Sequence, residues 1–277
     1  MLLLSNAKIN LGLHVGQRRP DGFHSIETVF FPIGWSDLLE ALPHPNALTL
    51  RCTGLCACAE QEKNLCARAF RLLQRDFGLP GADIFLHKQI PVGAGLGGGS
   101  GNAAFTLRML SELFRLALSP AQLAAYAAQL GSDCAFFVYN TPMLATGRGE
   151  VLQPVALSLS GYELLVVKPA LSVSTAEAYA SIAPHPAPRA ALSAVVSQPV
   201  ACWKHTLIND FEEGIFAKYP LLKDIKAELY GAGACYAAMS GSGSALFGIF
   251  SAIPSGLAEA FSREGCATFR QSFTPAG

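Results

Sequence analysis

The chain has 277 residues, 20 basic and 20 acidic side chains, and 51% hydrophobic against 14% charged residues. That length suits two ordinary domains with well-buried cores. A formal net charge of zero argues against the broad electrostatic footprint of a nucleic-acid or anionic-membrane binder, and favours a small-molecule ligand. No apolar run approaches the about 18 residues of a membrane span, and Lys8 and Asn10 come too early for the apolar core of a signal peptide. A cytoplasmic protein is therefore expected, with mostly reduced thiols. The cluster Cys52, Cys56, Cys58 and Cys66 lacks the paired C-x-x-C spacing of a zinc site.

From Ala7 to Val15 the sequence alternates, with Ile9, Leu11, Leu13 and Val15 apolar and Lys8, Asn10, Gly12 and His14 between them. This predicts a half-buried strand with Lys8 and Asn10 on one face, either solvated or waiting for a partner. Leu65, Ala69, Leu72 and Leu73 have helical spacing ahead of a stop at Gly78. A strand over 83–90 leads into a glycine-rich turn. Helices are expected over 102–118 and again from Ser119, a cap followed by Pro120 at the first turn, to Gly131. A new segment starts at 132–138.

Beyond about residue 158 the pattern changes to a strand over 162–169, helical stretches at 174–182 and 221–231, strands at 235–239 and 245–250, a helix at 254–264 and a strand at 267–273. The order β, α, β, β, α, β is that of a ferredoxin-like domain. The Pro- and Ala-rich residues 183–192 are expected to form a loop, and no solenoid period is present.

The turn carries Gly93, Gly95, Gly97, Gly98, Gly99 and Gly101. Glycine loses more backbone freedom on folding than any other residue, and such a turn entering a helix lets backbone N–H groups crowd around a phosphate. Gly93, Gly95 and Gly98 fit G-x-G-x-x-G, but the region about 20 residues on, "FRLALSPAQ", lacks the acidic ribose ligand of a dinucleotide fold. The lysine of G-x-x-x-x-G-K-[ST] is missing too, since no lysine lies between Lys88 and Lys168. The positive charge must come from elsewhere in the chain.

The segment "PVGAGLGGGSGN" resembles the phosphate loop of the GHMP kinases. "LGSDCAFFV" is similar to the segment bearing their catalytic aspartate, and "MSGSGSALFGIF" to their late glycine-rich motif. "NAKINLGLHV", the run Arg19-Pro20-Asp21-Gly22-Phe23-His24 and "NDFE" at Asn209–Glu212 resemble the branch acting on 4-diphosphocytidyl-2-C-methyl-D-erythritol. Together the motifs span nearly the whole chain.

The resemblance implies an α+β fold, with a domain like ribosomal protein S5 domain 2 over 1–157 and a ferredoxin-like domain over 158–277. It implies ATP and Mg2+, and phosphorylation of the acceptor's 2-hydroxyl in non-mevalonate isoprenoid precursor synthesis. A homoserine or mevalonate type of GHMP kinase, or a silent nucleotide-binding regulator on the same fold, are the alternatives. No metal ligand is assigned and the oligomeric state stays open.

On this resemblance Lys8 and Asp133 are the catalytic pair, and Asp133 also touches the acceptor. Taken alone, Asp133 serves equally as a helix N-cap after Gly131. Pro91, Gly93, Ala94, Gly95, Leu96, Gly97, Gly98, Gly99, Ser100, Gly101 and Asn102 are placed on the ATP phosphates, and Asn64 and Lys88 near the adenine, although Lys88 also suits a surface flank of a strand. Asn10, Thr175, Phe23 and His24 are placed on the acceptor, with Tyr179 as a second aromatic wall or a packed core ring. The chain departs from the family pattern in having Phe23 for Tyr, Gly101 for a second Ser, and Ala245 for Thr or Cys. These departures bear on fine substrate contacts and touch no proton-transfer group.

Overall fold

The structure is a computed structural model and describes residues 1–55, 61–182 and 189–274. It has two compact units, each assembled from separate stretches of chain. The first comprises Met1–Lys8, Pro32–Val92 and Gly97–Thr141, the second Ile9–Phe31, Gly93–Leu96 and Pro142–Gly277.

Two long strands run through both units, β1 (Leu2–Arg18) and β2 (His24–Pro43). β1 is not the half-buried strand that alternation predicts, because every residue from Ala7 to Leu13 is buried. Period-2 patterning reports one wet face, and here neither face is wet. In the first unit, Leu38–Pro43 of β2 pairs antiparallel with β4 (Ala82–Lys88), which pairs in parallel with β3 (Leu48–Gly54).

Helix α1 (Leu65–Phe77) opens at an Asn64 cap and closes at Gly78 in the left-handed region. Its Ala69, Phe70 and Leu73 are wholly buried, and burying the two larger side chains stabilises the unit by about 1.5–3 kcal/mol each. α2 (Gly98–Leu113) starts four residues earlier than the sequence predicts and ends sooner. It cannot continue through Arg115 and Ala117, whose φ values are 54° and 52°. α3 (Pro120–Ala128) carries the expected Ser119 cap, with Gln122 completing a capping box. α4 (Cys134–Tyr139) follows.

In the second unit, Thr28–Phe30 of β2 pairs with β5 (Met143–Thr146), which forms a hairpin with β6 (Val151–Pro154). Pro32, lacking an N–H to donate, lies between the two stretches of β2 pairing. The remainder supplies β7 (Glu163–Lys168), α5 (Thr175–Ala180), α6 (Leu192–Val196), α7 (Phe211–Lys218), α8 (Pro220–Gly231), β8 (Tyr236–Met239), β9 (Leu246–Phe250), α9 (Leu257–Arg263) and β10 (Ala267–Ser272).

The second sheet has order β10-β7-β9-β8, antiparallel throughout. This is the ferredoxin-like arrangement expected from the βαββαβ order. Leu165, Val167, Ile225, Leu229, Leu246 and Phe261 are buried in one cluster that fills the space between its sheet and helices. Of the Pro- and Ala-rich loop, 183–188 lies outside the described residues. Among the described residues no helix is long and apolar enough to cross a membrane.

Candidate active site

In the first unit α2 opens at Gly97, the end of the glycine turn. The N-cap is Gly97, φ +69°, which has no side chain with which to cap the helix. The opening amides and the positive end of the helix dipole are therefore left for an anion. A Cβ on Gly97 would lie 2.9 Å from the Phe137 ring and 3.1 Å from Lys8 Cε. Only glycine lets Lys8 and Phe137 approach so closely.

Lys8 Nζ lies 3.6 Å from Asp133 Oδ2, with Lys8 3% exposed and Asp133 32% exposed. Burial lowers the lysine's pKa, and the Asp133 carboxylate pulls in the opposite direction. The solvated-face reading of Lys8 is thereby overturned. Asp133 does stand at the N-cap position of α4, but its backbone is helical and its side chain makes no capping hydrogen bond. The capping alternative fails, and the carboxylate faces Lys8 instead.

Next to it, burial pushes the Cys134 thiol up to about 12, against a hydrogen bond with Ser100. It stays protonated at neutral pH and is no nucleophile.

Below the turn sits a buried network that the motifs do not reveal. Asp37 of β2 is fully buried and accepts hydrogen bonds from Gln89 N at 2.7 Å, Ile90 N at 2.8 Å and Asn102 Nδ2 at 2.9 Å. It also pairs with Lys88 Nζ, which donates to Asn102 Oδ1 at 3.0 Å. Asn102 Nδ2 reaches Ser5 Oγ as well, at 3.1 Å. Lys88 is thus not a surface residue. The side chains of Lys88 and Asn102, expected near adenine and phosphate, are spent on Asp37, where they fix both ends of the turn. Asn64 likewise caps α1, its Oδ1 accepting from Cys66 N at 2.8 Å. Pro91 is half-buried at the entry to the turn.

The middle of the turn, Gly93 to Leu96, belongs to the second unit. Ala94 and Leu96 are buried, and the Ala94 carbonyl accepts from Ala245 N at 3.1 Å. A Cβ on Gly95 would fall 1.9 Å from the Ser240 carbonyl oxygen, so this glycine is required by backbone packing against "MSGSGSALFGIF". Ser240 Oγ donates to Gly95 O at 2.8 Å and accepts from Asn10 N at 3.2 Å. Asn10, 3% exposed, donates its Nδ2 to Thr28 Oγ1 at 2.9 Å. Thr175 Oγ1 is 3.4 Å from Ser242 Oγ.

Elsewhere in this unit Arg19, Asp21, Gly22 and Phe23 form a tight tip. Phe23 N donates to Asp21 Oδ1 at 3.1 Å and Arg19 N to the Phe23 carbonyl at 2.6 Å, while the Phe23 ring is 55% exposed. His24 stacks on Tyr179 with centroids 5.4 Å apart, and Phe211 meets Tyr179 edge-on at 5.0 Å. Tyr179 is thus packed against both His24 and Phe211.

Residues 64–141 match the GHMP kinases N terminal domain and 201–271 the GHMP kinases C terminal domain. The chain is 50% identical over 254 residues to a 4-diphosphocytidyl-2-C-methyl-D-erythritol kinase of Bacteroides fragilis, covering 91% of this chain and 92% of that one. It belongs to the GHMP kinase family. A crystal structure of a 4-(cytidine 5'-diphospho)-2C-methyl-D-erythritol kinase superposes with a TM-score of 0.83 at 33% identity, covering 98% of each chain. Homoserine kinase from Cytophaga hutchinsonii matches with a TM-score of 0.67 at 17% identity over 96% of this chain and 93% of that one, and speaks for the GHMP fold alone.

Among the described cysteines, Cys52 is disulfide-bonded, whereas Cys134, Cys202, Cys235 and Cys266 are free thiols. Cys66 is a buried free thiol, and Cys56 and Cys58 lie outside the described residues. Among the described residues no group of three or more His, Cys, Asp or Glu side chains converges.

Proposed function

We propose that this GHMP kinase transfers the γ-phosphoryl group of ATP to the 2-hydroxyl of 4-diphosphocytidyl-2-C-methyl-D-erythritol. The carrying observation is the buried Lys8 beside Asp133, packed against the uncapped glycine start of α2. Phosphoryl transfer asks the protein to position the partners and to stabilise charge on the transferring oxygens. The amides of Gly97 to Gly101 and the α2 dipole hold phosphate. Asp133, open to solvent on one side, accepts the acceptor's proton, and Lys8 offsets the charge that develops on oxygen. Lys88 and Asn102 serve through the network that fixes the turn and Asn64 through the cap of α1, with Pro91 and the backbone of Gly93 to Leu96 completing the turn.

Mg2+ accompanies ATP and neutralises phosphate charge. Near the start of α2 the chain offers the Ser100 hydroxyl, a hard oxygen of the kind magnesium would take, while the Asp133 carboxylate is kept for the proton. The family's domain boundary is placed at 157/158, and the location is cytoplasmic.

The cytosine is assigned to Phe23 and His24, with Tyr179 as a second aromatic wall beside His24 and with Asn10 and Thr175 ordering the backbone of the acceptor site. His24 Nδ1 lies 3.0 Å from the Gly16 carbonyl. A carbonyl only accepts, so Nδ1 carries the hydrogen, and in the neutral tautomer that this fixes, Nε2 is an acceptor. It suits the N4 amino group of cytosine and repels the O4 of uracil.

The test is a coupled assay with the cytidyl acceptor, homoserine and mevalonate. Turnover of the first alone is expected; turnover of either other in its place refutes the reading. ATP binding with no turnover on any acceptor would favour a silent regulator, against which the intact Lys8 and Asp133 pair already counts.

A further inference from the structure

We infer that Arg148 is a positioning residue for the acceptor's base, acting through Phe23; this rests on the assignment of the base to Phe23 above. The turn between β5 and β6 lies beside the tip that carries Phe23, since Ile26 N donates to the Gly147 carbonyl at 2.8 Å and Thr28 pairs with Ala145. From that turn the Arg148 guanidinium carbon stands 5.1 Å from the centroid of the Phe23 ring. A cation at this distance over an aromatic face is attracted by the ring's quadrupole.

The turn is constructed to hold the arginine there. Gly147 has φ +73°, and a Cβ on it would fall 2.8 Å from Glu150 Oε2. Glycine at this position lets Glu150 fold back, where its carboxylate accepts from Arg148 N and lies 3.7 Å from Arg148 Nε. Gly149, φ +110°, closes the turn with its N–H on the Thr146 carbonyl at 3.0 Å. Glu150 thus restrains Arg148, and Arg148 covers one face of a phenylalanine whose backbone is pinned by Asp21. The same guanidinium helps keep the Asp21 carboxyl below its usual pKa, after the larger effects of the Phe23 N–H and Arg19.

An exposed ring on a hairpin tip is free to change rotamer unless something holds it. Arg148 takes one face of Phe23 and leaves the other for a flat, uncharged ring such as a pyrimidine. Its effect is preorganisation: the ring stands in place before the base arrives. This accounts for a charged residue standing beside an aromatic that is more than half exposed.

A double-mutant cycle tests this, with KM for the cytidyl acceptor, KM for ATP, kcat and the melting temperature measured for Arg148→Ala, Phe23→Ala and the double variant. Arg148→Ala should raise the acceptor KM about three- to tenfold and leave kcat, the ATP KM and melting unchanged. In the Phe23→Ala background the same substitution should have no further effect. Independent, multiplicative losses would place Arg148 on the acceptor itself, on its diphosphate for instance, and overturn the inference. A raised KM from Phe23→Ala with none from Arg148→Ala overturns the inference and leaves the base assignment standing. No effect from Phe23→Ala removes both.

Discussion

Lys8→Met separates catalysis from stability because its two effects have opposite signs. The substitution keeps a chain of similar length and deletes the ammonium. For the reaction, a fixed donor aimed at developing oxyanion charge contributes about 10²–10³ in kcat, or about 2.7–4 kcal/mol. For the fold, Lys8 is 3% exposed and its burial already disfavours the charged form. Breaking a buried ion pair usually costs about 3–5 kcal/mol because the surviving charge is stranded. Here the survivor is Asp133, 32% exposed and 3.6 Å away, and it reaches water. The cost therefore largely vanishes while the relief of lysine desolvation remains. A gain of about 1 kcal/mol raises Tm by about 2–4 °C in a protein of this size.

The assay is kcat at saturating ATP and acceptor alongside a thermal melt. Near-normal kcat would refute the role of Lys8 in catalysis. Lost activity together with a Tm fall of several degrees would make Lys8 a structural residue, and the argument from Asp133's exposure would be wrong.

The pH dependence follows from the same pair. Burial sets the folded pKa of Lys8 below the ordinary value of about 10.4, so kcat should fall with rising pH below that value. Between the folded pKa and the unfolded one only the unfolded chain holds the proton, so this group's contribution to stability rises with pH there; Lys8→Met should abolish that rise. Asp133→Asn should lower kcat by about 100- to 10,000-fold with ATP affinity preserved, as nucleotide titration and turnover together would reveal. Gly99→Ala adds a Cβ that meets only Leu65 Cδ1, at 3.9 Å; melting should hold or rise while the ATP Kd increases, and an unchanged Kd would move the phosphate away from α2. Asp37→Asn should lower Tm by several degrees and raise the ATP KM more than the acceptor KM, since it loosens the footing of the turn. His24→Ala should narrow the preference for a cytidyl over a uridyl acceptor, measured as a ratio of kcat/KM, with little change in the ATP KM.

Much of this molecule is legible in its sequence where patterning is local. α1 shows its Gly78 stop, α3 its Ser119 and Pro120 start, and the second unit its βαββαβ order. What escapes is set by contacts distant in sequence. β2 carries a proline in mid-strand and no clean alternation, because its two halves pair with different partners on either side of Pro32. α2 stops at residues that are neither Gly nor Pro. Asp37 sits in "GWSDLLEAL" with nothing local to mark it. Its importance comes from Gln89, Ile90 and Asn102, more than 50 residues away. Asn64 carries the ordinary signature of an N-cap ahead of an apolar run, and its Oδ1 does cap α1.

The glycine turn shows how one sequence feature answers to several constraints. Read alone, its density points to phosphate, yet the glycines are not equivalent. Gly95 is required by the Ser240 carbonyl, Gly97 by Phe137 and Lys8, and Gly101 by the Asn6 carbonyl, 2.9 Å from where its Cβ would be. These three are packing glycines: each lets a neighbouring stretch of its own unit close on the chain there, and a ligand need not be present for them to matter. Gly93 and Gly99 meet almost nothing. Gly93 is explained by its φ of +65°. Gly99, in the first turn of a helix where alanine would be favoured by up to about 1 kcal/mol, has no such internal reason. An open glycine at an uncapped helix start is what backbone contact with an anion calls for. Valine at Gly97 or Gly98 would strike Phe137 or Ile90 as well as any phosphate and would confound the two causes. The case for backbone contact with phosphate therefore rests on Gly99, the open glycine of the run that no positive φ explains, and there a substitution reads out the ligand and not the fold.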